Sequence, residues 1–172
     1  MKKDFVMPVL ALALICLIMS VTLTACNGIT QPVIEKAAKE RAENARREII
    51  PNAGEFVLME VDDLPKTITE VYRTTNNSGF IFMIKTYGYE GEIRLICGID
   101  PDGKIIRSTV LAHTETQGLG TLVFDREHEY MGKDKNLDGI DAISGATITS
   151  NAYINGIRDA FKVFEIVKGA QL

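Results

Sequence analysis

From Phe5 through Ile34 the chain carries no formally charged residue, and its first part reads FVMPVLALALICLIMSVTLTA. A membrane-spanning helix needs about 20 mostly apolar residues, so this run is long enough to cross a bilayer. It predicts a transmembrane anchor over residues 5–26, preceded by a short N-terminus, residues 1–4. Lys2 and Lys3 stand before the run, and the positive-inside tendency would hold that end in the cytoplasm. Everything after about residue 27 would then face the extracytoplasmic side. The string Leu23-Thr24-Ala25-Cys26 also looks like a bacterial lipobox, in which a signal peptide is cut before a cysteine that becomes lipidated. A signal peptide has an apolar core of roughly 7–15 residues, shorter than this one, which favours the retained anchor. Both readings tether the remainder to a membrane.

The remainder of the 172-residue chain has room for one domain. Its three cysteines, Cys16, Cys26 and Cys97, leave only Cys97 outside the apolar run and its end, so no disulfide is expected within the domain. His113 and His128 are the two histidines, too few with one cysteine for a structural zinc cluster. The net charge of −4 argues against a nucleic-acid partner.

Thr30 can cap and Pro32 can open a helix in which Ile34, Ala37, Ala38, Ala42, Ala45 and Ile49 recur at three- and four-residue spacing. Charged residues fill its other positions, and a solvated stalk over residues 27–52 is predicted. Five β-rich runs follow in residues 53–172: FVLMEV, ITEVYRTT, GFIFMIKTYGY, GEIRLICGI and KIIRSTVLAH. Between the last two lies Asp100-Pro101-Asp102-Gly103, the chemistry of a tight hairpin turn. An antiparallel sheet is the consequence. Near the C-terminal end Tyr153, Ile157, Ala160, Phe161, Phe164 and Val167 keep to one helical stripe, with Thr149 or Ser150 as the expected cap. The expected class is therefore α+β: one transmembrane helix, a stalk helix, then an antiparallel-sheet domain with a C-terminal helix.

Asp141 to Ser150 reads DAISGATITS, a hydroxyl-rich entry to that last helix. A helix N-terminus presents unpaired N–H groups and partial positive charge, which suits a phosphate. Gly145 permits close backbone approach and Ala146 adds little bulk. On composition alone, a simple capping loop explains the same residues.

Asp141-x-x-Ser144-Gly145-Ala146-Thr147 resembles the flavinylation motif of the FMN-binding domain in the G subunit of the Rnf electron-transport complex and in the C subunit of the sodium-pumping NADH:quinone oxidoreductase. His113-Thr114-Glu115-Thr116-Gln117-Gly118-Leu119-Gly120 is similar to a second motif of that family, with Gln117 where proline is usual. The resemblance implies FMN joined through its phosphate to Thr147, installed by a separate magnesium-dependent flavin transferase that uses FAD. Asp141, Ser144, Gly145 and Ala146 would form the recognised loop. Glu115, Thr116, Gly118, Leu119 and Gly120 would line the flavin. It further implies a single-pass protein of the bacterial cytoplasmic membrane, partnered by other Rnf-type subunits. That complex couples electron flow between NADH and ferredoxin to ion movement, and this chain would be an electron relay within the translocase. A free-standing flavinylated lipoprotein is the alternative, and a non-redox envelope domain a third reading.

Other residues read more plainly. Asp134-x-Asn136-x-Asp138-Gly139 begins like a calcium loop, but Gly145 stands where the bidentate glutamate is required, so a solvated loop is expected. His113 reads as structural, with proton donation to a flavin as the alternative, His128 as surface and Cys97 as core. Tyr87 and Tyr89 follow at period two and read either as packing on the sheet, the favoured expectation, or as lining the cofactor.

Overall fold

The computed structural model describes residues 2–169. Met1, part of the expected cytoplasmic N-terminus, and residues 170–172 lie outside the described residues. The chain divides into two compact units, Met1–Arg41 and Ala42–Leu172.

The first unit is helical. It lies within α1, Lys2–Ile49, a single run that is the one helix among the described residues long and apolar enough to cross a membrane. Its apolar side chains from Val6 to Leu23 stand exposed, as a lipid-facing segment requires. The polar side chains in this run find partners within the helix. Ser20 Oγ donates to the Cys16 carbonyl at 2.8 Å, Thr22 Oγ1 to Ile18 at 2.9 Å and Thr24 Oγ1 to Ser20 at 2.8 Å. Back-bonding of this kind leaves no hydroxyl unsatisfied in hydrocarbon.

Thr30 and Pro32 do not open a new helix, because the run continues through both. Pro32 lacks the N–H that would bond the Gly28 carbonyl, a local loss that the long helix absorbs. The stalk is therefore the continuation of the anchor helix.

The second unit is a five-stranded antiparallel meander. Strands β1 (Phe56–Met59), β2 (Ile68–Thr74), β3 (Phe80–Tyr87), β4 (Glu92–Ile99) and β5 (Ile105–His113) lie side by side in chain order. Each expected β-rich run thus becomes one strand, paired with its sequence neighbour. The β4–β5 turn closes as its residues dictate. Asp100 Oδ1 accepts the N–H groups of Asp102 at 3.0 Å and Lys104 at 2.8 Å, and Gly103 adopts φ +81°. After β5 come a short helix α2 (Leu122–Asp125), a 3-10 turn (Glu127–Tyr130) and the long helix α3 (Thr147–Gly169).

Strand alternation sends side chains to both faces, and both are covered. On one face Phe80, Phe82, Ile84, Ile93, Leu95 and Cys97 pack with the α3 stripe of Tyr153, Ile157, Ala160, Phe161 and Phe164. Burial pushes the Cys97 thiol up to about 12, which makes it an inert core group. The Tyr153 hydroxyl donates to Ser108 Oγ at 2.9 Å, so the one polar atom on that deep side chain is satisfied. On the other face Ile81 and Ile96 pack against Ala45, Ile49 and Ile50 from the end of α1 and the turn after it. Gly98 makes that approach possible, since a Cβ there would stand 2.3 Å from Ile49 Cγ2. The last turns of the expected solvated stalk are consequently core.

Candidate functional site

The entry to α3 lies one helical turn earlier than its hydroxyls suggest. The helix begins at Thr147, so Thr149 and Ser150 are inside its first turn and neither caps it from outside. Both are buried and hydrogen-bonded elsewhere. Ser150 Oγ accepts the Ile143 N–H at 3.0 Å, tying the preceding loop to the helix. Thr149 Oγ1 donates to Glu115 Oε2 at 2.9 Å and accepts the Tyr89 N–H at 3.3 Å. Thr147, by contrast, is exposed, and no hydrogen bond among the described residues engages its hydroxyl. The chain turns into the helix at Gly145, φ +84°, where a Cβ would meet Leu119 Cδ1 at 3.2 Å.

The loop entering α3, the loop after β5 and the β3–β4 turn line an open cavity of about 620 Å³. Thr147, Gly145, Ala146, Glu115, Thr116, Leu119 and Gly120 from the expected site residues line it. Gln117, at the departure from the familiar pattern, lines it as well. Asp141, Ser144 and Gly118 do not. Asp141 is exposed, its carbonyl accepting from Arg126 Nη1 at 3.2 Å. Ser144 is exposed on the loop. Gly118, at φ +115°, closes a turn in which its N–H donates to Thr121 Oγ1 at 3.2 Å and its carbonyl accepts from that hydroxyl at 3.0 Å.

Four further residues line the cavity: Tyr89, for which lining the cofactor was the second reading, and Glu90, Ile148 and Thr149, which were not expected there. Tyr87 and Tyr89 do not pack on the sheet, because β3 ends at Tyr87 and both rings stand exposed. The glycines flanking Tyr89 and Glu90 were the available signal, since Gly88 and Gly91 close the turn with a 2.8 Å bond from the Gly88 N–H to the Gly91 carbonyl. Ile148 carries no signal of its own beyond adjacency to Thr147.

The walls combine apolar and polar character. Leu119 and Ile148 are more than half exposed, at 57% and 56%, and supply apolar surface. Charge is confined to two carboxylates, Glu90 and Glu115, among the lining residues. Glu115 is 7% exposed, and both its oxygens are engaged, Oε1 by the Glu90 N–H at 3.1 Å and Oε2 by Thr149. Among the described residues no lysine, arginine or histidine lines the cavity, so a bound anion would rely on backbone N–H groups at the start of α3.

The remaining candidates lie elsewhere. His113 ends β5 with its ring 4.7 Å from that of Phe124, in a groove that shares no lining residue with the cavity. His128 is exposed in the 3-10 turn. The Asp134–Gly139 loop is folded on itself: Asp134 Oδ1 accepts the Asn136 N–H at 2.9 Å, and Lys133 Nζ donates to the Asp138 carbonyl at 2.6 Å. Its Leu137 is buried at φ +54° and anchors the loop to the core, and no cluster of metal-ligating side chains occurs among the described residues.

The model of the FMN-binding domain family matches residues 88–162, a span that starts at the turn bearing Tyr89 and ends within α3. The chain is 29% identical to the G subunit of the ion-translocating oxidoreductase complex of Methanosarcina acetivorans, over 92% of this chain and 94% of that protein. It is 28% identical to the G subunit of the Na(+)-translocating ferredoxin:NAD(+) oxidoreductase complex of Acetobacterium woodii, over 91% of this chain and 89% of that one. The proton-translocating counterpart of Clostridium ljungdahlii is 27% identical, over 87% of this chain and 85% of that protein.

Proposed function

We propose that this chain, with its FMN-binding domain and its likeness to the G subunits of ion-translocating oxidoreductase complexes, is such a subunit, that its Thr147 carries FMN as a phosphoester and that the flavin relays electrons within the complex. The observation that carries the site assignment is the contrast between two threonines of one helical turn. Thr149 is 1% exposed with its hydroxyl engaged, whereas Thr147 opens on the cavity.

The residues present fit the group. A cavity of about 620 Å³ with apolar walls is within the usual range for a cofactor site. Leu119, Ile148 and Tyr89 would bound the ring system, while the N–H groups opening α3 would meet the phosphate. Bound FMN supplies one- and two-electron transfer, and the protein holds it and shields it. A threonine hydroxyl is a weak nucleophile near neutral pH, so attachment requires an outside enzyme. A flavin transferase would draw on FAD with magnesium: the Thr147 oxygen bonds to the FMN phosphorus, the pyrophosphate bond breaks, AMP departs and the hydroxyl proton goes to solvent.

The relatives are named as members of complexes that couple ferredoxin:NAD(+) oxidoreduction to movement of sodium ions or protons. This chain would be one redox subunit of such a translocase, held by α1 in the cytoplasmic membrane with residues 1–4 inside and residues 53–172 outside. Covalent attachment suits a domain in that position, where lost FMN could not readily be replaced. The test is co-expression of the full chain with a flavin transferase, then denaturing electrophoresis under ultraviolet light. A fluorescent band is expected, and it should vanish in Thr147→Val. A band that persists in that variant would move the site, and no band from the unaltered chain would remove the covalent cofactor.

A further inference from the structure

Tyr89 is 74% exposed, yet its backbone N–H is hydrogen-bonded to a buried side chain. Its N–H donates to Thr149 Oγ1, and that hydroxyl in turn donates to Glu115 Oε2. The next N–H, of Glu90, donates to Glu115 Oε1. One buried carboxylate therefore joins three separated parts of the chain: the turn after β3, the loop after β5 and the first turn of α3. Two glycines clear the space it occupies. A Cβ at Gly88 would stand 2.2 Å from Glu115 Oε1, and one at Gly120 would stand 3.0 Å from Oε2.

Hydrogen bonds in a buried, low-dielectric site are stronger than the same bonds in water, so this arrangement fixes its donors closely. What it fixes is a turn whose large side chain contributes nothing to the core and instead lines the cavity beside Leu119 and Ile148. A planar aromatic group gains from offset or edge contact with another aromatic system. Held in advance, Tyr89 would make that contact without the entropy cost of ordering a mobile turn.

We infer that Glu115 and Thr149 form a latch that positions Tyr89 as an aromatic wall over the ring system of the flavin. The inference rests on the covalent-FMN reading. Thr149 acts through Tyr89 here, as a positioning residue, and Tyr89 is the group that touches the cofactor.

The experiment uses the full chain purified after co-expression with a flavin transferase. The ultraviolet band on a denaturing gel is read first, and its absence from the unaltered chain overturns the covalent reading independently of the latch. In loaded protein, iodide quenching of flavin emission and visible circular dichroism of the flavin band report what covers the ring. Tyr89→Leu is expected to raise the iodide quenching constant several-fold and to change the dichroism. Thr149→Val should move both signals in the same direction by less, and Thr149→Ser, which keeps the hydroxyl, should restore them. In the Tyr89→Leu background Thr149→Val should add nothing. Unchanged signals in Tyr89→Leu, or a Thr149→Val effect of full size in that background, would overturn the proposal. Amide hydrogen exchange on the unaltered chain without flavin gives a reading that needs no variant to fold. The Tyr89 and Glu90 amides should exchange more slowly than the backbone amide of exposed Asn76, which donates no hydrogen bond among the described residues, and equal rates would overturn the latch.

Discussion

The two faces of the sheet are closed by different means. One is covered by α3, whose stripe meets a broad layer of fully buried side chains that includes Phe82, Ile84 and Leu95. The other is covered by the last turns of α1 and the residue after them, through Ala45, Ile49 and Ile50 on Ile81 and Ile96. The first face belongs to the domain and carries the site at the start of its helix. The second is a smaller patch, seated where Gly98 lets a side chain lie against backbone and reinforced at its edge by the Arg107 Nη1 to Glu48 Oε1 pair at 2.8 Å. Fold and site therefore depend on the first face, while the second seats the last turns of α1 on the sheet.

The largest effect should come from cutting into the first face. Ile157→Ala removes a 0% exposed side chain and should cost about 2–5 kcal/mol in denaturant unfolding of the detergent-solubilised chain. It should also reduce flavin loading, because α3 presents Thr147. Ile49→Ala, on the second face, should cost nearer the low end, about 2 kcal/mol, with loading preserved. Equal losses of stability and loading from both would break the asymmetry. Gly98→Ala should cost about 1–3 kcal/mol by overpacking against Ile49. Its cost should shrink in an Ile49→Ala background, and additive costs would show that the contact is not the cause.

The smallest effect concerns pH. The Arg126 guanidinium, donating through Nε to Glu129 Oε1 at 2.7 Å, holds the Glu129 carboxyl below the usual glutamate range. A depressed folded-state value contributes stability that is present above the unfolded value and lost as pH falls through the folded one. The pair is partly exposed, so the loss should stay under about 1 kcal/mol. Unfolding curves on the acid limb should therefore be slightly flatter in Glu129→Gln, and an identical pH dependence would assign the acid loss to other carboxylates.

Most of the domain was legible because its periodicities are local. Each β-rich run became a strand, the Asp100–Gly103 turn closed as its residues require, and every residue named on the C-terminal stripe is buried. What escaped depends on partners distant in sequence. Ala45 and Ile49 look like any small-residue stripe on a charged helix until Gly98 is placed opposite them. Thr149 looks like a cap because its acceptor, Glu115, is 34 residues away. The cavity was legible through two motifs, which brought seven expected residues to its wall, while the period-two placing of Tyr87 and Tyr89 favoured packing on the sheet over the place in the wall that Tyr89 takes.

Chain order gives α3 one more consequence. The five strands leave the ribosome before the helix that covers them, so Phe82, Ile84 and Leu95 wait uncovered until residues 147–169 are made. Thr147 is the first residue of that late helix. Under the proposed attachment to Thr147, an enzyme that reads the docked turn would modify only chains that have finished folding, and the flavin would then serve as an inspection mark on the completed domain.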